Sequence, residues 1–180
     1  MQDYLNRYFK KQSELIKKVN YDNLTAVTKL INQVKKNKKK IIIIGNGGSA
    51  AIASHASVDF TKVGRVRCIN FNESSLLTCF SNDYKYENWA SKALEFYADQ
   101  KDLVILISSS GKSKNIVNAA KKAKNLKCQL ITFTGFSKNN EVSKYGNYNF
   151  WVNSKVYNFI ENTHQLWILS LVDNLVKTKF

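Results

Sequence analysis

Two kinds of apolar pattern alternate along the chain. The first is helical. Over residues 3–20, Tyr4, Leu5, Tyr8, Phe9, Leu15, Ile16 and Val19 recur at helical spacing with lysines between them. Over 22–37, Leu24, Val27, Leu30, Ile31 and Val34 do the same. Such spacing places the apolar side chains on one helix face. The second pattern is a short apolar run closing on a small residue: IIII (41–44) before GNGG, DLVILIS (102–108), and CQLITFTG (128–135). Runs of this length, rich in β-branched residues, predict strands buried on both faces.

Further helices are expected at about 49–63, 86–97 and 115–125, and a loop with a short helix at 73–81. RVRCINF (65–71) reads as a short strand, and Tyr148 to Val152 as a weaker, edge-like one. The last helix is expected from about Val156 to Lys177. It is apolar on most sides, so it is buried, either centrally or in a contact between subunits. Strands alternating with helices predict a parallel sheet covered on both faces. The two N-terminal helices precede these units and carry stripes of their own, which fit a partner subunit or an extension of the core. No linker or repeat divides the chain, so residues 1–180 read as one domain.

Composition narrows the partners. Of 180 residues, 44% are apolar, enough for a substantial core. No apolar run approaches the roughly 18 residues of a membrane span. The start, MQDYLNRYFKKQ, lacks the apolar centre of a secretory signal, so a cytoplasmic protein with no membrane attachment is expected. Cys68, Cys79 and Cys128 are odd in number and form no CxxC, which predicts reduced thiols. The net charge of +15 is compatible with nucleic acid, with an anionic small molecule, or with neither. The lysines gather at helix ends and exposed faces, including KKNKKK (35–40). No nucleic-acid-binding module or aromatic-plus-basic stripe accompanies them, so nucleic acid is not the expected partner.

The candidate chemistry lies in the turns. In an open parallel sheet, ligands bind outside the carboxyl ends of the strands. Two such ends are small and polar: GNGGS (45–49) and SSSGKS (108–113), each directly before a helix. Free N–H groups and the dipole at a helix start favour an anion, and glycine lets it approach closely. Together the two loops can hold one phosphate; each alone also reads as a plain turn and helix cap. GNGGS lacks the GxGxxG spacing and SSSGKS is not a Walker loop. His55 and Asp59 stand four apart on the next helix, hence on one face. They can bind a metal, transfer protons or simply hydrogen-bond. Asn82-Asp83 reads as a turn or cap closing a loop. On the last helix, Glu161, His164 and Gln165 are polar on a buried element. They need partners or solvent, in a pocket or at a subunit contact.

With these pieces assembled, the chain resembles the SIS (sugar isomerase) family and, within it, the phosphoheptose isomerases. The resemblance rests on GNGGSAAIASH, FSNDYKYENW, LISSSGKSKNIVNAAKKAK, LITFTG and the flanking helices. It implies a flavodoxin-like αβα sandwich with a five-stranded parallel sheet and two extra N-terminal helices. It also implies a homotetramer with sites between subunits, acting on a phosphorylated sugar such as a heptose 7-phosphate. By position, Asn46, Gly47, Gly48, Ser49, Ser108, Ser109, Ser110 and Ser113 would bind substrate phosphate, and Asp83 would contact its hydroxyls.

The catalytic part departs from the family pattern. Where the isomerases have His-x-x-x-Glu, this chain has His55-x-x-x-Asp59. Where they have a glutamine and a second histidine on the last helix, it has Glu161 and Leu169. The resemblance then leaves His55, Asp59 and Glu161 as a three-ligand zinc set, with Asp59 or Glu161 as base. Leucine can neither ligate a metal nor move a proton. Two readings follow: an isomerase with a variant acid–base set, or an inactive phosphosugar-binding or protein-interaction module of the replication-initiator-partner type.

Overall fold

The computed structural model describes residues 2–179. Two helices, α1 (Gln2–Ile16) and α2 (Tyr21–Lys36), lead into β1 (Ile41–Gly45) and α3 (Gly48–Lys62). Then come β2 (Cys68–Ile69), α4 (Ser74–Tyr84), α5 (Trp89–Tyr97), β3 (Leu103–Ser108) and α6 (Lys114–Asn125). The chain ends with β4 (Gln129–Thr134), a 3₁₀ turn (Val142–Lys144), β5 (Tyr148–Trp151) and α7 (Tyr157–Val176). The five strands are all parallel, in the order β2-β1-β3-β4-β5.

The apolar runs explain the layers. Side chains alternate across a strand, so IIII divides two and two. Ile41 and Ile43 join a core with α2, α3 and α7, while Ile42 and Ile44 join a second core with α5 and α6. Strand β3 divides likewise, with Ile105 and Ile107 on the first face and Val104 and Leu106 on the second. The sheet is therefore a middle layer buried on both sides.

The strand expected over 65–71 contracts to Cys68–Ile69. It is an edge strand, paired on one side only, through Ile41↔Cys68 and Ile42↔Ile69. Beyond it the asparagines leave the ladder for α3. Asn70 Nδ2 donates to Ser57 Oγ (2.7 Å), and Asn72 Nδ2 donates to the Ala50 carbonyl (2.6 Å). Asn82 and Asp83 do not close a loop: α4 runs on through Tyr84, which puts both on its last turn. No described helix is long and apolar enough to cross a membrane.

At the amino edge of the sheet one buried acid is fully paired. Asp102 is 0% exposed. Its carboxylate accepts the Lys40 and Asp99 backbone N–H groups (3.0 and 2.8 Å) and faces Lys40 Nζ at 2.6 Å. Lys40 also meets Asp99, at 2.8 Å. Burial works against the Lys40 charge, but the Asp102 and Asp99 carboxylates outweigh it and raise the lysine pKa above its usual value.

Candidate functional site

Strand order 2-1-3-4-5 reverses direction between β1 and β3, and that crevice is where such sheets take ligands. The two small-residue loops meet there, because Gly45 pairs in register with Ile107. Gly47 caps α3 at φ +53, a conformation that glycine adopts without strain. No side chain caps α3 or α6, so neither helix spends a side chain on its first free N–H groups. A reciprocal amide pair ties the loops together. Asn46 Nδ2 donates to Asn115 Oδ1 (3.0 Å), and Asn115 Nδ2 donates to Asn46 Oδ1 (2.8 Å).

Between the loops lies a cavity of about 110 Å³, lined by Asn46, Ser49, Ile107, Ser108, Ser109, Ser110, Ser113, Tyr157 and Glu161. The Ser108 and Ser109 hydroxyls are buried and lack a hydrogen-bond partner among the described residues. Buried polar groups are nearly always paired, so orphans need a reason. Two on one wall of a cavity, under two helix N-termini, suit an oxyanion. A wider cavity of about 600 Å³ adjoins, sharing Asn46 and Ser113 and walled by Tyr86, Glu87, Lys114 and Asn115. It offers room for the rest of a small polar ligand.

Glu161 closes the smaller cavity from α7. A methyl group on Gly48 would lie 2.2 Å from Glu161 Oε2, so the carboxylate sits against the bare α3 start. Burial raises its pKa above the usual carboxylate range; the Ser109 hydroxyl nearby, short of full hydrogen-bond geometry, pulls weakly the other way. A carboxylate so held is a stronger base than one in water.

The remaining expected residues stand apart. His55 Nε2 lies 3.2 Å from Asp59 Oδ2, and its Nδ1 lies 3.2 Å from Gln165 Nε2. Both ring nitrogens are engaged on the seam between α3 and α7. Leu169, one turn beyond Gln165, packs on the edge of the first core. Among the described residues no group of three or more His, Cys, Asp and Glu is placed to hold a metal ion. The expected zinc set of His55, Asp59 and Glu161 is therefore not assembled: the first two pair with each other and Glu161 faces the serines. Within this chain those three side chains do not fit a zinc site. Asp83 lines neither cavity. It accepts from Asn82 Nδ2 (3.0 Å) and from the Cys79 thiol (3.6 Å).

His164 is fully buried and outside the site. Its Nε2 lies 3.1 Å from the Thr134 carbonyl, so Nε2–H donates, and its Nδ1 has no partner among the described residues. Burial pushes its pKa down to about 4. Cys68 and Cys128 are buried, and burial raises both thiol pKa values, which removes them from thiolate chemistry. Asn115, Tyr157 and Tyr86 are site residues that the sequence reading missed. Asn115 alone left a signal, as a polar residue at a buried position of α6 next to SSSGKS.

Fold and site together define a doubly wound α/β protein with a serine-lined cavity between two loops at the switch point of its sheet. The SIS domain model matches residues 4–135, and the chain belongs to the SIS domain family, on its phosphoheptose isomerase-like branch. It is 30% identical over 169 residues to a probable phosphoheptose isomerase of Thermoplasma acidophilum, covering 90% of this chain and 91% of that one. It is 37% identical over 118 residues to the phosphoheptose isomerase of Aliarcobacter butzleri, a match spanning 62% of each chain and so under two thirds of that relative's length. The phosphoheptose isomerase GmhA of Neisseria gonorrhoeae superposes with a TM-score of 0.90 at 24% identity, over 98% of this chain and 99% of that one. At that identity the superposition shows the shared fold alone.

Proposed function

We propose that the protein is an aldose–ketose isomerase of a phosphorylated sugar, of the heptose 7-phosphate class, with Glu161 as its base. One observation carries the reading: two orphaned serine hydroxyls share a small cavity with a carboxylate whose pKa burial has raised. The serines and the helix N-termini hold the phosphate, and the carbon chain bends through the adjoining cavity so that its carbonyl end returns to Glu161 at the mouth of the smaller one. Glu161 takes the proton from the carbon beside the carbonyl. The electron pair becomes the double bond of an enediol as the carbonyl oxygen gains a proton from water, which is made good when the other hydroxyl releases its own in the second half. Glu161 then returns its proton to the neighbouring carbon, and the carbonyl reforms at the other oxygen, which gives up its proton.

The test is direct: the purified protein is given sedoheptulose 7-phosphate and aldose formation is followed. Glu161→Ala should lose turnover by at least about a hundredfold while still binding the sugar phosphate. Wild-type rates in that variant sink the assignment. Leu169 and the engaged His55 favour a second reading, a phosphosugar-binding module without chemistry. Sugar-phosphate binding with no turnover, zinc added or not, decides for that module. The family resemblance adds to this proposal a homotetramer, with Asp59 as a second candidate base.

A further inference from the structure

The opposite edge of the sheet carries a feature that the isomerase reading leaves unused. A cavity of about 300 Å³ is lined by Lys35, Lys38, Lys39, Arg65, Val66 and Arg67. Its walls come from two separate segments, the end of α2 with its loop into β1, and the loop from α3 into β2. Only three of the chain's 28 cationic residues are arginines, and two of them stand here. Guanidinium is the side chain suited to bidentate phosphate contact.

Local structure accounts for only part of this charge. The carboxyl ends of α2 and α3 both lie at this edge, each equivalent to roughly half a negative charge. Lys35 Nζ donates to the Gly64 carbonyl (3.1 Å), and Arg67 donates to the Lys38 carbonyl. Asp99 is held by Lys40 at 2.8 Å, and Lys39 and Arg67 feel it only as a more distant charge. None of the five cations has an ion-pair partner among the described residues. Five positive charges against two half-dipoles leave a surplus of roughly four.

Backbone conformation adds a second observation. Lys38 and Arg65 have φ of 55° and 54°, in the left-handed region after a helix end where glycine is usual. Each non-glycine residue there costs about 1 kcal/mol. Four further lysines, Lys85, Lys101, Lys127 and Lys177, also have positive φ; what sets Lys38 and Arg65 apart is that two such positions meet on the rim of one cavity.

We propose that this cavity is a binding site for a compact polyphosphate, the di- or triphosphate group of a nucleotide or a free inorganic chain. A pocket this small suits a multiply charged small anion better than a duplex, whose backbone runs along a surface stripe. It lies at the amino ends of β1 and β2, away from the serine cradle, so both sites can be filled at once.

The test uses inorganic tripolyphosphate and ATP, titrated calorimetrically into the whole protein at about 0.15 M salt. The key variant is Lys38→Gly with Arg65→Gly, which removes two cations while relieving both left-handed positions. Its unfolding midpoint should stay level or rise, and tripolyphosphate affinity should fall about tenfold or more. Equal affinity for ATP and tripolyphosphate indicates recognition of the phosphate chain alone; tighter ATP binding adds nucleoside contacts. Several results overturn the proposal: no tripolyphosphate binding by the native protein, undiminished binding by the double variant, or loss of binding on Ser109→Ala instead. A short DNA duplex binding more tightly than either probe would overturn it too, in favour of a nucleic-acid surface. Sugar isomerisation should be unchanged in the double variant, which separates this site from the isomerase reading.

Discussion

The two edges of the sheet treat their buried polar groups in opposite ways. At the amino edge, Asp102 is completely paired: two backbone N–H groups and the Lys40 ammonium converge on it. At the carboxyl edge, the Ser108 and Ser109 hydroxyls are buried and unpaired, and Glu161 is desolvated with no cation beside it. Burying a polar group without a partner costs stability. The paired Asp102 therefore fastens the fold, while the two unpaired serines beside Glu161 leave donors that a ligand can complete.

The most forceful way to break this contrast is at Asp102. Asp102→Ala leaves Lys40 with Asp99 alone and two backbone donors without an acceptor. Removing one partner of a buried ion pair costs about 3–5 kcal/mol, and urea unfolding should show a loss of that size. A loss below about 1 kcal/mol would mean that the amino edge is not fastened by this group.

Second in size is His164, a buried group paired on one nitrogen only. The unfolded chain takes up its proton near pH 6.5, whereas the folded protein resists until about 4. Folded pKa below unfolded means that the unfolded state binds more protons between those values, so stability rises with pH there. His164 should be worth its full contribution above pH 6.5, with about 3 kcal/mol lost as pH falls to 4 and no further loss below. His164→Leu should flatten that segment of the stability curve; an unchanged curve assigns the acid sensitivity elsewhere.

Ser109→Ala comes next and should behave in the reverse sense to Asp102→Ala. Deleting an unpaired buried hydroxyl relieves a penalty, so the unfolding free energy should hold or rise by about 1 kcal/mol. Sugar-phosphate affinity should meanwhile fall about tenfold, the worth of one hydrogen bond to a charged group. Stability lost together with affinity would show that the serine was structural, and the contrast between the edges would fail.

Much of this arrangement was legible in the sequence. The period-two split of IIII between two cores, the parallel sheet and the two loops at its carboxyl edge all follow from local pattern. Contacts between distant segments did not. His55 meets Gln165 from 110 residues away, and no spacing rule announces that contact, which takes up Nδ1 while Asp59, four residues on, faces Nε2. The strand expected at RVRCINF shortened because two asparagines found better partners on α3. Asp83 looked like a loop residue because NDY carries turn chemistry, yet α4 continues past it. Glu161 was visible as a departure from a family pattern; only the fold shows that it leans on Gly48 rather than joining His55.

That last contact yields the smallest change with the most selective readout. Gly48 is the first residue of α3 and has no positive φ, so alanine meets no backbone strain there. The added methyl would fall 2.2 Å from Glu161 Oε2, the far end of a flexible side chain that can swing aside. Gly48→Ala should therefore shift stability by less than about 1 kcal/mol, toward gain if helix propensity prevails. The base, however, would leave its place between the α3 start and the serines. Turnover on sedoheptulose 7-phosphate should drop about tenfold or more with binding little changed, because a displaced base affects the chemical step more than the cradle. If turnover and binding fall together, the methyl has disturbed the cradle itself. If neither falls, Glu161 does not act from the position seen here, and Asp59 becomes the base to test.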